Sequence, residues 1–303
     1  MSSKPTQLTC RFSPTPTYSF QYQEPFNDVF NFSGGDYFLN LAESSGAKVR
    51  CHNLVWATQV APFVTEGPWT KASLTAVMEN HIKTVITHYG ERCYSWDVIN
   101  EALLGNGSFS SSIWYDTIGP DYFHLAFQFA QEAVETIDAD IKLYYNDYGI
   151  ESPNDKVTAL RGLVKDLQHR RIQIDGIGFE SHFVAGSTPS TADQLAAMKT
   201  FTSMGLNVAQ TELDVRIPQP PYYTKAAQAQ QAKDYYSSVA ACMQAGRKCI
   251  GTTVWDFDDK YSWVPGVFAP AGGADIFNDT LVAKPAYYAI AEALRGKPCT
   301  VCG

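Results

Sequence analysis

The sequence has no run approaching the ~20 apolar residues that a membrane-spanning helix needs, and it has no Lys/Arg-rich stretch. The first absence argues against a membrane-embedded role. The second, with a net charge of −8 from 23 Lys+Arg and 31 Asp+Glu, disfavours nucleic-acid and membrane-surface partners on electrostatic grounds. Met1 to Thr9 is polar and holds no apolar signal core. No glycine-rich nucleotide turn occurs, because Gly176 and Gly178 have no third glycine at the needed spacing. A G-x-S-x-G elbow is missing too, and so is a zinc motif, so the sequence calls for no serine nucleophile, no metal and no cofactor. With no internal linker and no low-complexity segment, residues 1–303 read as a single domain.

Aromatic residues are plentiful: 17 Tyr, 17 Phe and 6 Trp in a chain of 303 residues that is 45% hydrophobic. That supply fills a sizeable core, and the length suits one large barrel domain. Seven cysteines leave at least one thiol unpaired. Cys242 and Cys249 lie close together, as do Cys299 and Cys302, while Cys10, Cys51 and Cys93 are scattered. Cys299–Cys302 also has the spacing of a redox or zinc half-site, but no second pair or histidines stand beside it. Asn-x-Ser/Thr triplets at Asn31, Asn106 and Asn278, together with the Cys242/Cys249 pair, lean toward a secreted, extracellular protein.

From Lys48 onward short apolar runs alternate with helical patterns. The strands are expected at Val49–Trp56, Tyr94–Asn100, Ile141–Asp147, Ile174–Phe179, Asn207–Leu213 and Cys249–Trp255. The helices between and after them are expected at Lys71–Tyr89, Tyr122–Ile137, Asp155–Arg170, Ala192–Met204, Lys225–Ala245 and Pro285–Leu294. On the first of these, Leu74, Val77, Met78, Ile82, Val85 and Ile86 share one face. Six βα units in a row give a parallel sheet covered on both sides, either an α/β barrel or an open doubly wound sheet. The first 47 residues differ. They have room for one or two short strands and a helical stretch at Asp36–Ser45, so the first βα unit looks abbreviated.

The strand ends are polar and aromatic: His52 to Trp56, Asn100-Glu101, Asn146-Asp147, Glu180-Ser181-His182, Glu212-Leu213-Asp214 and Trp255-Asp256. In a parallel barrel such ends share one face, where catalytic groups collect. A single polar strand end is as readily a satisfied cap; six in succession point to a ring-shaped site. Aromatic faces stack on sugar rings, amides and imidazoles bond hydroxyls, and paired carboxylates suit glycosidic cleavage. The competing readings are that Trp255 and Trp263 are core aromatics and His182 a structural histidine. His81, His88, His124 and His169 fall on expected helices and receive no role.

Trp96-Asp97-Val98-Ile99-Asn100-Glu101-Ala102 resembles the acid/base strand of the family 10 glycoside hydrolases, the fungal and bacterial endo-1,4-β-xylanases. Thr211-Glu212-Leu213-Asp214 looks like their nucleophile motif. Arg50 to Trp56, Leu143 to Tyr148, Ile174 to Gly178, Thr253-Val254-Trp255 and Tyr261-Ser262-Trp263 match in order and spacing. The resemblance spans roughly residues 24–296. It implies a (β/α)₈ TIM barrel and a retaining mechanism, with Glu101 as general acid then base and Glu212 as nucleophile. It further implies that His182 bonds Glu212 with Asp214 orienting the imidazole, and that Asn100 holds a sugar 2-hydroxyl. Asn146 and Glu180 stand as further supports of catalysis. His52, Trp56, Gln59, Tyr144, Trp255 and Trp263 would contact sugar. Cys242/Cys249 matches a disulfide of the fungal members. A polysaccharide or oligosaccharide is the expected partner.

Departures from the family pattern sharpen the expectation. The second-strand Asn and Lys that grip a sugar are replaced by Pro16 and Ser19. Ala57 and Phe63 replace a histidine and a tryptophan, and Asp256 replaces a glycine. Glu180 replaces a glutamine and sets a third carboxylate near Glu101 and Glu212, where like charges raise a neighbour's pKa. Three functions compete: an endo-β-1,4-xylanase with altered subsites, a barrel acting on another glycoside or small substrate, and a carbohydrate-binding or host-interaction protein on an impaired scaffold. Retention of Glu101, Glu212, His182, Asn100, His52 and both tryptophans favours the first. The shortened first unit would also bare apolar surface, which a homodimer would cover.

Overall fold

The computed structural model describes residues 7–10 and 20–303. In chain order its elements are β1 (Gln7–Cys10), α1 (Phe20–Gln23), α2 (Ser33–Ser44), β2 (Val49–Val55), α3 (Pro62–Glu66), α4 (Lys71–Tyr89), β3 (Cys93–Asn100), α5 (Ile113–Ile118), α6 (Asp121–Thr136) and β4 (Lys142–Asp147). There follow α7 (Asp155–Arg170), β5 (Gly176–Phe179), β6 (His182–Val184), α8 (Thr191–Thr202), β7 (Asn207–Arg216), α9 (Lys225–Ala245), β8 (Cys249–Val254), α10 (Val264–Phe268) and α11 (Pro285–Leu294). Helices α4, α7, α9 and α11 begin and end where hydrophobic periodicity and breakers put them. For α4 the reason is local. Thr70 and Ser73 form a reciprocal capping box, with Ser73 N–H donating to Thr70 Oγ1 at 3.2 Å and Thr70 N–H donating to Ser73 Oγ at 3.0 Å. Gly90 then ends the helix at φ 52°, a left-handed value that glycine adopts without strain.

Two compact units make up the described chain. One holds residues 20–147 and 155–178; the other holds residues 7–10, 148–154 and 179–303. In the first, β2, β3 and β4 are parallel, with His52 opposite Asp97 and Asn100 opposite Asn146. The apolar stripe of α4, including Leu74, Met78, Ile82 and Ile86, is buried. Between those residues sits His81, fully buried, with Nδ1 2.9 Å from Glu24 Oε2 and its ring stacked on Phe20 at 3.6 Å. Its place is structural. Tyr22, Phe26, Val29, Tyr37 and Leu41 remain exposed on the segment leading into and through α2.

A buried disulfide, Cys51–Cys93, ties β2 to the first residue of β3 across 42 residues of sequence. Closing a loop of that length restricts the unfolded chain by about 4 kcal/mol on the chain-entropy model. The double variant Cys51→Ala/Cys93→Ala is therefore expected to lose stability on that order. Urea denaturation of the two proteins side by side measures it, and an unchanged midpoint contradicts it.

In the second unit β1, β8 and β7 are parallel and β6 pairs with β7. Phe183, Leu213, Val215, Tyr235, Val254 and Ile290 form a continuous core between these strands and helices α9 and α11. Cys242–Cys249 joins α9 to β8, and Cys299–Cys302 closes the tail. The latter bond takes both thiols, so neither is free to ligate zinc while it stands. β1 is a short strand of the kind the first 47 residues have room for: Gln7 faces Gly251 and Cys10 faces Val254 on β8. Four residues with only two apolar positions give no periodic signal to read.

Candidate active site

Non-glycine residues with left-handed backbone mark the strand ends. Glu101 follows β3 at φ 55°, Ser181 separates β5 from β6 at φ 65°, and Asp256 follows β8 at φ 55°. Each such residue costs on the order of 1–3 kcal/mol and persists where the surroundings over-determine it, most often at functional sites.

Around Glu101 the first unit supplies a dense polar frame. Trp56 Nε1–H donates to Glu101 Oε2 at 3.0 Å, and Trp114 Nε1–H donates to the Trp56 carbonyl at 2.8 Å, which fixes the indole. These residues line a small recess with Asn100, Ser110, Ser112 and Tyr122. Glu101 N–H donates to Asn146 O at 3.0 Å, and Asn146 Nδ2–H donates to Asn100 Oδ1 at 2.9 Å. His52 sits one strand over, its Nδ1 3.0 Å from Asp97 Oδ2 and its Nε2 3.1 Å from Asn53 Nδ2. Arg50 is ion-paired to the same Asp97. Burial works against the Asp97 anion, yet Arg50 and His52 outweigh it and hold the carboxyl below its ordinary range.

Around Glu212 the second unit builds a different environment. His182 Nε2 lies 3.1 Å from Glu212 Oε2, and His182 Nδ1 lies 2.9 Å from Asp214 Oδ2. Trp263 Nε1–H donates to the same Asp214 oxygen at 2.7 Å. Burial would lower the imidazole, but the Asp214 and Glu212 carboxylates prevail and push it up to about 10. Glu180 Oε2 stands 4.0 Å from His182 Nε2. Trp263 packs on the imidazole at 4.9 Å and Trp255 stands edge-on at 6.1 Å; both indoles are half-buried. Asp256 accepts from Trp263 N–H at 3.1 Å and is raised to about 6, first by burial and then by the nearby Asp214 charge.

One consequence is a pH signature. The folded His182 pKa lies above the ordinary 6.5, so its ion pairs contribute fully below pH 6.5 and are lost as pH rises through about 10. Stability is expected to fall on the order of a few kcal/mol across that window. Asp214→Asn should flatten the fall. Denaturant midpoints at pH 6, 8 and 10 for both proteins measure it, and parallel slopes contradict it.

Glu180, His182 and Glu212 are the described residues whose ligand atoms come close enough to share a cation, within 4.8 Å of one another. A protonated imidazole repels a metal ion, so the set is better suited to an ion-paired carboxylate. Gln59 is half-buried at φ 53°, with a side-chain oxygen that has no partner among the described residues. Tyr144 is a correction. It is fully buried, with the Arg50 guanidinium 4.2 Å over its ring, and a Cβ at Gly176 would lie 2.1 Å from it. It packs inside the wall and offers no surface to a sugar. Pro16 and Ser19 lie outside the described residues, while Ala57 is exposed and Phe63 packs edge-on toward Trp69 at 6.5 Å.

Residues that sequence reasoning passed over complete the frame. Glu151 Oε1 accepts from Ser181 N–H at 2.9 Å and so holds the left-handed turn before His182. Asp97 lies inside the quoted acid/base motif without a role assigned to it. Lys156, on α7, is 2% exposed and paired to Asp147 at 2.6 Å.

With this geometry in hand, the comparisons with known proteins decide the lineage. Residues 14–293 match the description "Glycosyl hydrolase family 10". The chain belongs to that family. Its fold is accordingly a (β/α)₈ α/β barrel. The family 10 relatives include endo-1,4-beta-xylanase D of Talaromyces funiculosus, 44% identical over 94% of this chain and 68% of its own length. Endo-1,4-beta-xylanase A of Phanerodontia chrysosporium is 42% identical over 93% of this chain and 67% of its own. Among solved structures, Penicillium canescens endo-1,4-beta-xylanase XylE is 62% identical, with a TM-score of 0.94 covering 94% of this chain and 86% of that one. A family 10 xylanase from Bispora sp. MEY-1, solved with xylobiose, is 49% identical, with a TM-score of 0.90 over 92% of this chain and 86% of that one.

Proposed function

We propose that this protein is a secreted, retaining endo-β-1,4-xylanase, with Glu101 as general acid/base and Glu212 as nucleophile. The observation that carries the reading is the contrast between the two carboxylates. Glu212 is ion-paired to the His182 imidazolium, which favours a negative charge, whereas Glu101 takes a neutral indole donor beside Val55, Ile99 and Ala102. Two carboxyls in opposed surroundings are how one site runs an acid and a nucleophile at the same pH.

In the first step Glu101 gives its proton to the glycosidic oxygen. The bond electrons leave with that sugar, and a Glu212 oxygen bonds the anomeric carbon. In the second step the Glu101 carboxylate takes a proton from water. The water oxygen replaces Glu212, which departs as the carboxylate. Asn100, His52, Trp56, Gln59, Trp255 and Trp263 are the residues we assign to sugar contacts, and Asn146 and Asp214 hold others of the set in place. A substrate built from β-1,4-linked xylose is supported by the names of the relatives. Three disulfides support an oxidising, extracellular compartment.

Proton NMR of xylo-oligosaccharide hydrolysis tests the reading. The β-anomer is expected to appear first and to mutarotate later. Initial release of the α-anomer would exclude a glycosyl-enzyme on Glu212.

A further inference from the structure

The left-handed turn at Glu101 is held by two backbone amides. Glu101 N–H donates to Asn146 O at 3.0 Å, and Ala102 N–H donates to Tyr145 Oη at 3.1 Å. The second bond is the end of a longer chain. Tyr145 Oη–H donates to Asp147 Oδ2, and Lys156 Nζ–H donates to Asp147 Oδ1 at 2.6 Å. Tyr145 and Asp147 are fully buried and Lys156 is 2% exposed. Phe123 packs on the Tyr145 ring at 5.5 Å, which fixes where the hydroxyl points.

A buried ion pair of this kind is weak evidence for stability, because apolar residues of the same volume often serve as well. It does impose direction. Asp147 accepts the tyrosyl O–H, so the hydroxyl oxygen keeps its lone pairs for the Ala102 amide. Burial raises the Asp147 carboxyl to about 7, and Lys156 acts against that rise, which favours the acceptor form. At the other end of the same residue, Trp56 Nε1–H holds the Glu101 carboxylate.

We propose that Lys156, Asp147 and Tyr145 are positioning residues for Glu101: a buried chain that fixes the backbone turn and so aims the acid/base carboxyl. The proposal rests on the reading of Glu101 as the acid/base. None of the three touches substrate. Their effect should therefore appear wherever proton transfer by Glu101 matters and vanish where it does not.

Tyr145→Phe and Lys156→Met test it, with Glu101→Ala alongside. Two substrates are used: a xylo-oligosaccharide, whose sugar leaving group needs a proton, and a dinitrophenyl xylobioside, whose phenolate leaves without one. On the oligosaccharide both variants should lose on the order of 10- to 100-fold in kcat with KM within about 2-fold, as expected when a proton donor is displaced by a fraction of an ångström to 1 Å. The pre-steady-state burst of dinitrophenolate should keep its wild-type rate within about 3-fold. Equal losses on both substrates, no loss on either, or failure of both variants to fold would assign the chain to stability and overturn the proposal. If Glu101→Ala itself shows no preference between the substrates, the assignment of Glu101 is what fails. If Glu101→Ala discriminates and the other two do not, only the positioning chain fails.

Discussion

Glu212→Ala will reduce release of reducing sugar from xylan by ~10⁴-fold or more, because removing a nucleophile ends the covalent route and leaves only what binding and the remaining groups supply. The fold should survive the change. Glu212 lies within β7, and its backbone N–H, bonded to Glu180 O at 3.0 Å, is untouched by it. Far-ultraviolet circular dichroism and an unchanged chromatographic mass confirm that the variant is folded, and the assay then reads chemistry alone. Wild-type activity in a folded Glu212→Ala protein would remove Glu212 from the mechanism.

Glu180→Gln is the matching control, since Glu180 also faces His182. It should keep activity within roughly tenfold, and the acid limb of its kcat/KM profile should move to lower pH. The reason is electrostatic: an anion beside the nucleophile resists a second negative charge, so deleting it eases ionisation of the neighbour. An acid limb that stays put would show that Glu180 is not coupled to Glu212. A loss as deep as that of Glu212→Ala would make Glu180 a participant in the reaction.

Much of this was legible before any coordinates. Apolar strands ending in His52, Asn100-Glu101, Glu180 to His182, Glu212 to Asp214 and Trp255 announce a parallel sheet with its chemistry at one set of ends. Helix α7 shows where such reading stops. Its pattern gives Asp155–Arg170 correctly, and spacing sets Lys156 on the stripe of Leu160, Val164 and Leu167, but residue type alone argues for solvent there, and only the tertiary position of Asp147 makes Lys156 a buried partner. Tyr144 fails for a related reason. Alternation along β4 sends neighbouring tyrosines to opposite sides, and both sides are buried there; Gly176 leaves room for the Tyr144 ring. Short α3, α5 and α10 hold five or six residues each, too few for a 3.6-residue period to emerge. Strained turns at Glu101, Ser181 and Asp256 carry no composition signal at all, since none is a glycine.

The other large effect belongs to Glu101, and its form separates the two carboxylates. Glu101→Ala should lower turnover of xylan by on the order of 10³-fold, in the range that positioned proton transfer contributes. With a dinitrophenyl xylobioside the first step needs no acid, so the glycosyl-enzyme should form at a near wild-type rate and then accumulate, because water lacks its base. Azide, an anion that needs no deprotonation, should restore turnover. Its nitrogen bonds the anomeric carbon as Glu212 leaves, and the product is a β-glycosyl azide of retained configuration. Glu212→Ala cannot follow this course: with no ester to intercept, azide attacking directly would give the α-azide. Product configuration by NMR thus distinguishes the roles of the two glutamates. Absence of azide rescue in a folded Glu101→Ala protein would show that the indole-held carboxyl beside Trp56 is not the base of the second step.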